Sequence, residues 1–235
     1  MATRLVLAEL ADGFQQRTGL RVAIESVGGV DAAKRVIAGE AFDVVFLASD
    51  AIGKLMAGGF LLAGSKVDLM RSGVAVAVRA GATVPDISTE KALRDAVRAA
   101  ASVSYSTGPS GVALAQLFER WGIADEIKGR IVQAPAGVPV GALVARGEVE
   151  LGFQQFSELM HLERITVVGP MPAAIQIITT FSAGIGINSQ QAETVRKLLA
   201  DMNSPAATRA KLKQGMEPMQ DQIRSVNIDS KRRKK

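Results

Sequence analysis

The sequence predicts an α/β protein, and three observations carry that reading. Along nearly the whole chain, apolar residues at helical spacing alternate with short runs rich in β-branched residues. One of these runs, Val74-Ala75-Val76-Ala77-Val78, is continuously apolar, the signature of a strand buried on both faces. At 235 residues, 48% hydrophobic and 22% charged, the chain suffices for one large domain or two lobes of about 100 residues each.

The elements follow in order. Leu5, Leu7, Leu10, Ala11 and Phe14 mark a helix that stops at Gly19, and Leu20–Ile24 reads as a strand. Asp31–Ala38 is a short helix and Phe42–Leu47 a second strand, after which Ser49-Asp50 is placed to cap a helix over Ala51–Met56. The Val74–Val78 strand leads to a helix opened by Ser88-Thr89-Glu90, a strand over Ala101–Tyr105 and a helix over Ser110–Trp121. Ile131-Val132, a helix over Gly141–Ala145 and a strand over Val149–Phe153 repeat the alternation. Ile165–Val168 and Ala174–Phe181 are β-branched, and the latter is placed to return the chain toward the first half. Helices over Gln190–Met202 and Pro205–Gly215 close the fold, and from about residue 219 the chain is polar, charged and expected to be disordered.

Composition removes whole classes of chemistry. Of 28 basic residues, five are the terminal Lys231-Arg232-Arg233-Lys234-Lys235, so the rest of the chain balances 23 basic against 23 acidic side chains. A surplus piled on a chain end is not a folded basic face, and nucleic acid is set aside as a partner. The absence of cysteine excludes disulfides, thiolate metal sites and thiol nucleophiles, and a single histidine, His161, excludes multi-histidine metal sites. No cofactor motif is present. The opening Met1-Ala2-Thr3-Arg4 runs straight into an amphipathic pattern with no apolar signal region, as in a cytoplasmic protein or a mature or shortened form of an exported one. The uncharged stretch Ile165–Ala192 is long enough to span a bilayer, but Gly169-Pro170-Met171-Pro172 and several later polar residues read as buried strand and turns.

Three segments share one design, in which a strand ends, small residues turn and a helix begins: Glu25–Ala32, Tyr105–Val112 and Ala134–Gly141. Each presents backbone N–H groups at a helix start, where the macrodipole adds partial positive charge, and such ends bind anions without lysine or arginine. Pro109 suits a first helical turn because its missing N–H has no intrahelical partner there. Any α/β protein has such turns, so one alone decides nothing; three together point to one oxyanion held among them. None carries the phosphate-loop or GxGxxG spacing, which disfavours nucleotides.

The stretches Gly39-Glu40-Ala41-Phe42-Asp43-Val44-Val45-Phe46-Leu47-Ala48-Ser49-Asp50 and Gly141-Ala142-Leu143-Val144-Ala145-Arg146-Gly147-Glu148-Val149-Glu150-Leu151-Gly152-Phe153 resemble the periplasmic solute-binding proteins of the molybdate-binding type, as do residues 14–22 and 106–111. The resemblance covers nearly the whole folded chain. It implies a two-lobed, type II periplasmic-binding-protein-like fold with a ligand cleft between lobes, one lobe from residues 1–75 with 180–218 and the other from 76–179. By the same resemblance, the ligand contacts fall at Thr3, at Gly28, Gly29 and Val30, at Ser110 and Gly111, at Gly137 and Val138, and at Gln154 and Gln155. The family's first strand would lie ahead of Met1. Localisation in the periplasm and ABC transporter membrane subunits as partners follow from the resemblance as well.

Two departures bear on the ligand. Where molybdate binders place a hydroxyl in the first-lobe loop this chain has Gly28-Gly29, and where they place a tyrosine hydroxyl it has Gln154-Gln155. Fewer hydroxyls and two amides point away from a compact tetrahedral oxyanion and toward a di- or tricarboxylate. The chain is also similar to bacterial aconitate isomerases, which interconvert trans- and cis-aconitate on the same fold. That similarity implies a base within reach of an acidic C–H and donors for the enolate-like charge. The titratable candidates are Glu25, Asp31, Glu158 and His161, the last two expected on a solvated helix face; Lys34 and Arg35 read as surface residues. A cytoplasmic ligand sensor lacks any helix-turn-helix pattern here.

Overall fold

The computed structural model describes residues 2–135 and 137–219. They form two compact units: the first runs up to Arg71 and resumes at Thr180, and the second is Ser72–Thr179. The first unit begins with helices α1 (Arg4–Thr18) and α2 (Gly29–Ile37), strand β1 (Val44–Ala48), helix α3 (Ser49–Ala57) and the start of strand β2 (Val67–Arg79). The second holds the rest of β2, then α4 (Glu90–Ala99), β3 (Val103–Tyr105), α5 (Pro109–Arg120), α6 (Ala124–Ile127), α7 (Val140–Arg146), β4 (Leu151–Gln155), α8 (Phe156–Leu159) and β5 (Ile165–Pro170). Strand β6 (Ile178–Ile185) carries the chain back, and α9 (Ala192–Met202), α10 (Pro205–Lys213) and β7 (Glu217–Pro218) follow. The chain therefore crosses between units twice, each time within a strand.

In the first unit β6 lies between β1 and β2. It runs antiparallel to β1, from Val44 opposite Ile185 to Ala48 opposite Phe181. The helices α1 and α9 bury Val6, Leu10, Phe14, Leu198 and Met202 in one cluster with Leu69, Met70 and Ile185. Gly186 leaves β6 so close to β1 that a Cβ there would lie 1.9 Å from the Phe42 carbonyl oxygen, a position only glycine fills.

In the second unit β2 is central, antiparallel to β4 from Val74↔Gln155 to Ala77↔Gly152 and to β5 on its other edge. That placement explains the apolar Val74–Val78 run, every residue of which is buried. Strand β3 pairs parallel with β4, Val103↔Leu151 to Tyr105↔Phe153. The core gathers on Phe118 of α5, whose ring meets Tyr105, Trp121 and Phe153 at centroid distances of 6.0, 5.9 and 6.1 Å. Thr89 caps α4, accepting the Ala92 N–H at 3.1 Å.

Two expected local features differ. Residues 20–24 are extended but join no ladder: Val22 and Ile24 pack on the first unit's core while Arg21 and Ala23 face outward, and no strand among the described residues supplies a partner edge. Ser49 and Asp50 lie inside the first turn of α3 rather than capping it, because β1 continues to Ala48 and the helix starts at once, with no side-chain cap. The terminal basic run lies outside the described residues.

A buried cation ties the end of the chain to the start of β2. Lys211 in α10 has 0% exposure and donates from Nζ to the Leu69 carbonyl at 2.7 Å and to Asn203 Oδ1 at 3.1 Å. Replacing Lys211 with Met strands both acceptors and is expected to lower the unfolding free energy by ~1–3 kcal/mol, read as the urea midpoint shift. Burial pushes the ammonium pKa down to about 8 from the ordinary 10.5, so the folded state holds the proton less well than the unfolded chain. The cost of burying charge is therefore present below about 8 and relieved as pH rises toward 10.5; across that window the wild type is expected to gain stability relative to Lys211→Met.

Candidate functional site

The parallel strands β3 and β4 end side by side at Tyr105 and Gln155, and the chain leaves each into a helix. After β3, Ser106–Gly108 turn into α5. Pro109 and Ser110 occupy its first two positions, and Gly108 offers no side-chain cap. Gly111 and Val112 donate their N–H groups to the Gly108 carbonyl at 3.0 and 3.1 Å. The Ser110 N–H, at the second position, has no intrahelical acceptor, so it is the amide that this twelve-residue helix presents outward along its dipole. Gly111 is required for a different reason: a Cβ there would lie 1.7 Å from the Ser106 carbonyl oxygen. Gln133 Nε2 donates to that same carbonyl at 3.2 Å, so helix packing and a side-chain amide together hold the loop.

The third glycine turn behaves differently. The Val138 N–H donates to the Pro135 carbonyl at 3.0 Å, and the Gly141 N–H at the second position of α7 donates to Gln154 Oε1 at 3.0 Å. Those donors are consumed inside the fold. Gly137, with φ of 77°, supplies the left-handed turn ahead of Pro139. Helix α7 sits hard against β4: a Cβ on Gly152 would lie 2.5 Å from Val144 Cγ2, and one on Gly141 2.4 Å from Leu162 Cδ1. Gln154 is thus a buried cap for α7, with its carbonyl oxygen already occupied.

Gln155 is equally buried, at 4% exposure, and its Nε2 lies 2.8 Å from the Thr179 hydroxyl oxygen. Its Oε1 has no hydrogen-bond partner within the protein. The Thr179 hydroxyl serves as donor or acceptor, so the amide is able to turn either its oxygen or its NH2 away from Thr179 toward a ligand.

Glu158 stands in α8, one turn beyond Gln155. Sequence periodicity places it on a solvated face; the structure half-buries it, because α8 packs straight onto the end of β4 and Leu159 is fully buried. Burial is the dominant effect on its carboxyl and pushes it above the usual carboxylate range. His161 lies just past α8 and is exposed.

The first unit places Gly28, Gly29 and Val30 at the start of α2, with Gly28 at the N-cap and no side-chain cap, and Asp31 in the first turn. Thr3 is the N-cap residue of α1 and makes no side-chain cap bond. Glu25 is an ion-pair member: its two carboxylate oxygens accept from Arg35 at 2.7 and 2.9 Å, and Arg35 also binds Glu40 and lies 5.2 Å over the Phe42 ring. The guanidinium holds the Glu25 carboxyl below its usual range, which makes it a poor base, and leaves Arg35 committed within the protein. A cavity of about 220 Å³ in this unit, bordered by Phe42, Asp43, Phe60 and Asn188, contains none of the candidate residues.

Parallel strands that open at their carboxyl ends onto an uncapped helix start, in a chain that crosses twice between two α/β units, define the architecture of a solute-binding protein. The chain belongs to the bacterial extracellular solute-binding protein family, whose model matches residues 1–217. It is 38% identical over 219 residues to an aconitate isomerase from a Pseudomonas species, covering 91% of this chain and 83% of that one. Its fold is that of the periplasmic molybdate-binding protein of Azotobacter vinelandii, with a TM-score of 0.76 at 22% identity over 93% of this chain and 96% of the other. A tungstate-binding protein from Desulfovibrio alaskensis G20 aligns with a TM-score of 0.65 at 18% identity, over 90% and 92% of the two chains. No helix among the described residues is long and apolar enough to cross a membrane.

Two substitutions probe this geometry. Gln154→Leu leaves the Gly141 N–H unpaired and is expected to cost ~1–3 kcal/mol of unfolding free energy, read as the urea midpoint shift. Gly111→Ala forces α5 off the Ser106 carbonyl and is expected to cost at least ~1–3 kcal/mol, measured by thermal or urea unfolding.

Proposed function

We propose that the protein binds a small carboxylate-bearing anion, a di- or tricarboxylate in preference to molybdate, as the solute-binding component of an ABC-type uptake system in the periplasm. The observation that carries this reading is the Ser110 N–H at the open start of α5, which offers an anion partial positive charge without a basic side chain. The start of α2, with Gly28, Gly29 and Val30, offers a second uncapped set of donors. Gln155 adds a reversible amide, suited to a ligand that carries both carboxylates and a polar substituent. Membrane subunits of a transporter are the partner class that such a protein serves.

A second reading is favoured by one relative. At 38% identity over 91% of the chain, the similarity to an aconitate isomerase is closer than to the molybdate and tungstate binders. In that reading the same donors hold trans-aconitate while a double bond migrates. Purified protein incubated with trans-aconitate separates the two: accumulation of cis-aconitate supports the isomerase, and tight binding without conversion supports the binder.

Binding itself is tested by thermal shift and calorimetry with citrate, the aconitates, molybdate, tungstate and sulfate, since a ligand selective for the folded state raises its melting temperature. The carboxylates are expected to stabilise the protein more than the metal oxyanions. Ser110→Pro removes the amide at a helix position that tolerates proline and is expected to weaken binding roughly 10–100-fold, whereas Ser110→Ala leaves it within about threefold.

A further inference from the structure

In the first unit a cavity of about 220 Å³ lies where three segments meet: the chain entering β1, the turn after α3 and the turn that leaves β6. Hydrogen bonds frame it. The Ile187 N–H donates to the Phe60 carbonyl at 3.2 Å, the Gly186 N–H to the Asp43 carbonyl at 3.0 Å, and Ser189 Oγ to Asp43 Oδ1 at 2.6 Å. Two glycines permit this frame: a Cβ on Gly186 would lie 1.9 Å from the Phe42 carbonyl oxygen, and one on Gly58 2.8 Å from Phe60 Cε2. The apolar lining is the buried pair Val36 and Val45 together with Phe42 and Phe60. The charged lining is acidic, Glu40 and Asp43, with no lysine or arginine among the described residues that border the cavity. Arg35 binds Glu40 from outside that lining and is shared with Glu25, whereas the Asp43 carboxylate accepts from a neutral hydroxyl. Arg35 also rests 5.2 Å over the Phe42 ring, so this corner already holds one cation by carboxylate and aromatic contact together.

We propose that this cavity binds a small primary alkylammonium ion. Three features of the lining select that class. The Asp43 carboxylate attracts a cation and offers it an acceptor oxygen. The aliphatic and aromatic walls favour an alkyl body over a hydrated metal ion, which would have to exchange its water for apolar surface. Aromatic rings add the attraction of their faces for an ammonium group. The volume sets the size: at roughly 30 Å³ per water, 220 Å³ equals about seven waters, below the ~300 Å³ at which drug-sized pockets begin, which suits an ammonium on a chain of about four carbons. The same acidic lining repels the carboxylates proposed for the start of α5, so this site takes a ligand of the opposite charge and stands independently of that reading.

The test is an NMR titration of the ¹⁵N-labelled full chain with butylammonium chloride, beside butanol as its uncharged counterpart and sodium chloride at equal ionic strength. Saturable shifts of the Val45, Ile187 and Asn188 amides, with a Kd of about 1–10 mM, are expected from so small a ligand. Butanol is expected to bind at least ~5-fold more weakly, and sodium chloride to leave those amides in place. Asp43→Asn keeps an acceptor for the Ser189 hydroxyl but removes the charge, and is expected to raise the Kd at least ~5-fold. Phe60→Leu, apolar but without a ring, is expected to raise it at least ~3-fold. Butanol binding within about twofold of the ammonium, shifts reproduced by sodium chloride, or no saturation by about 50 mM overturns the proposal. A folded Asp43→Asn variant that binds within about twofold of wild type overturns it as well. Should Asp43→Asn fail to fold, Phe60→Leu and the butanol comparison decide: losses of the expected size in both support the site, and the absence of either loss contradicts it.

Discussion

The bond from Gly141 N–H to Gln154 Oε1 is the contact on which the second unit's chemistry depends. It joins the start of α7 to the end of β4, and glycines make room around it: a side chain at Gly152 would collide with Val144 of α7, and one at Gly141 with Leu162 just beyond α8. Once made, it sets two things together. It consumes a donor that would otherwise be free to meet a ligand, and it fixes which way the buried Gln154 amide points. The buried amide is stabilised by pairing rather than by hydration, so the arrangement tolerates no substitution that removes one partner without the other.

The electrostatic consequence is a site that favours anions without a basic patch. In the first unit the Arg35 guanidinium is held between Glu25 and Glu40. The start of α5 in the second unit carries no side-chain cap, so its backbone amide offers an anion partial positive charge without a basic side chain. A fixed set of amides suits the carboxylate ligand proposed above.

Much of this was legible from residue order. The Val74–Val78 run signalled a strand buried on both faces, and Pro109-Ser110 signalled a helix start, because those features are local. What periodicity could not reach was pairing and side-chain contact. Residues 20–24 carry strand composition yet lack an edge to join, and Gly137-Val138 looks like an anion loop although the Val138 amide is spent on Pro135. Glu158 reads as solvated because four residues of helix carry too short a pattern to show that α8 lies on the end of β4. The sequence did hold one usable hint, the adjacent pair Gln154-Gln155 at a strand end, where a solvated turn has no need of two amides; only the structure assigns one to α7 and the other to Thr179.

Backbone amides as the anion-binding groups are tested most directly by a ¹H–¹⁵N NMR titration of the labelled protein with trans-aconitate. Saturable shifts led by the Ser110 amide and the Gln155 side-chain NH2, with the Gly141 amide nearly unmoved because Gln154 already holds it, are the predicted result. Shifts confined to residues around surface lysines and arginines, or a Ser110 amide that stays in place while the ligand saturates, would contradict it.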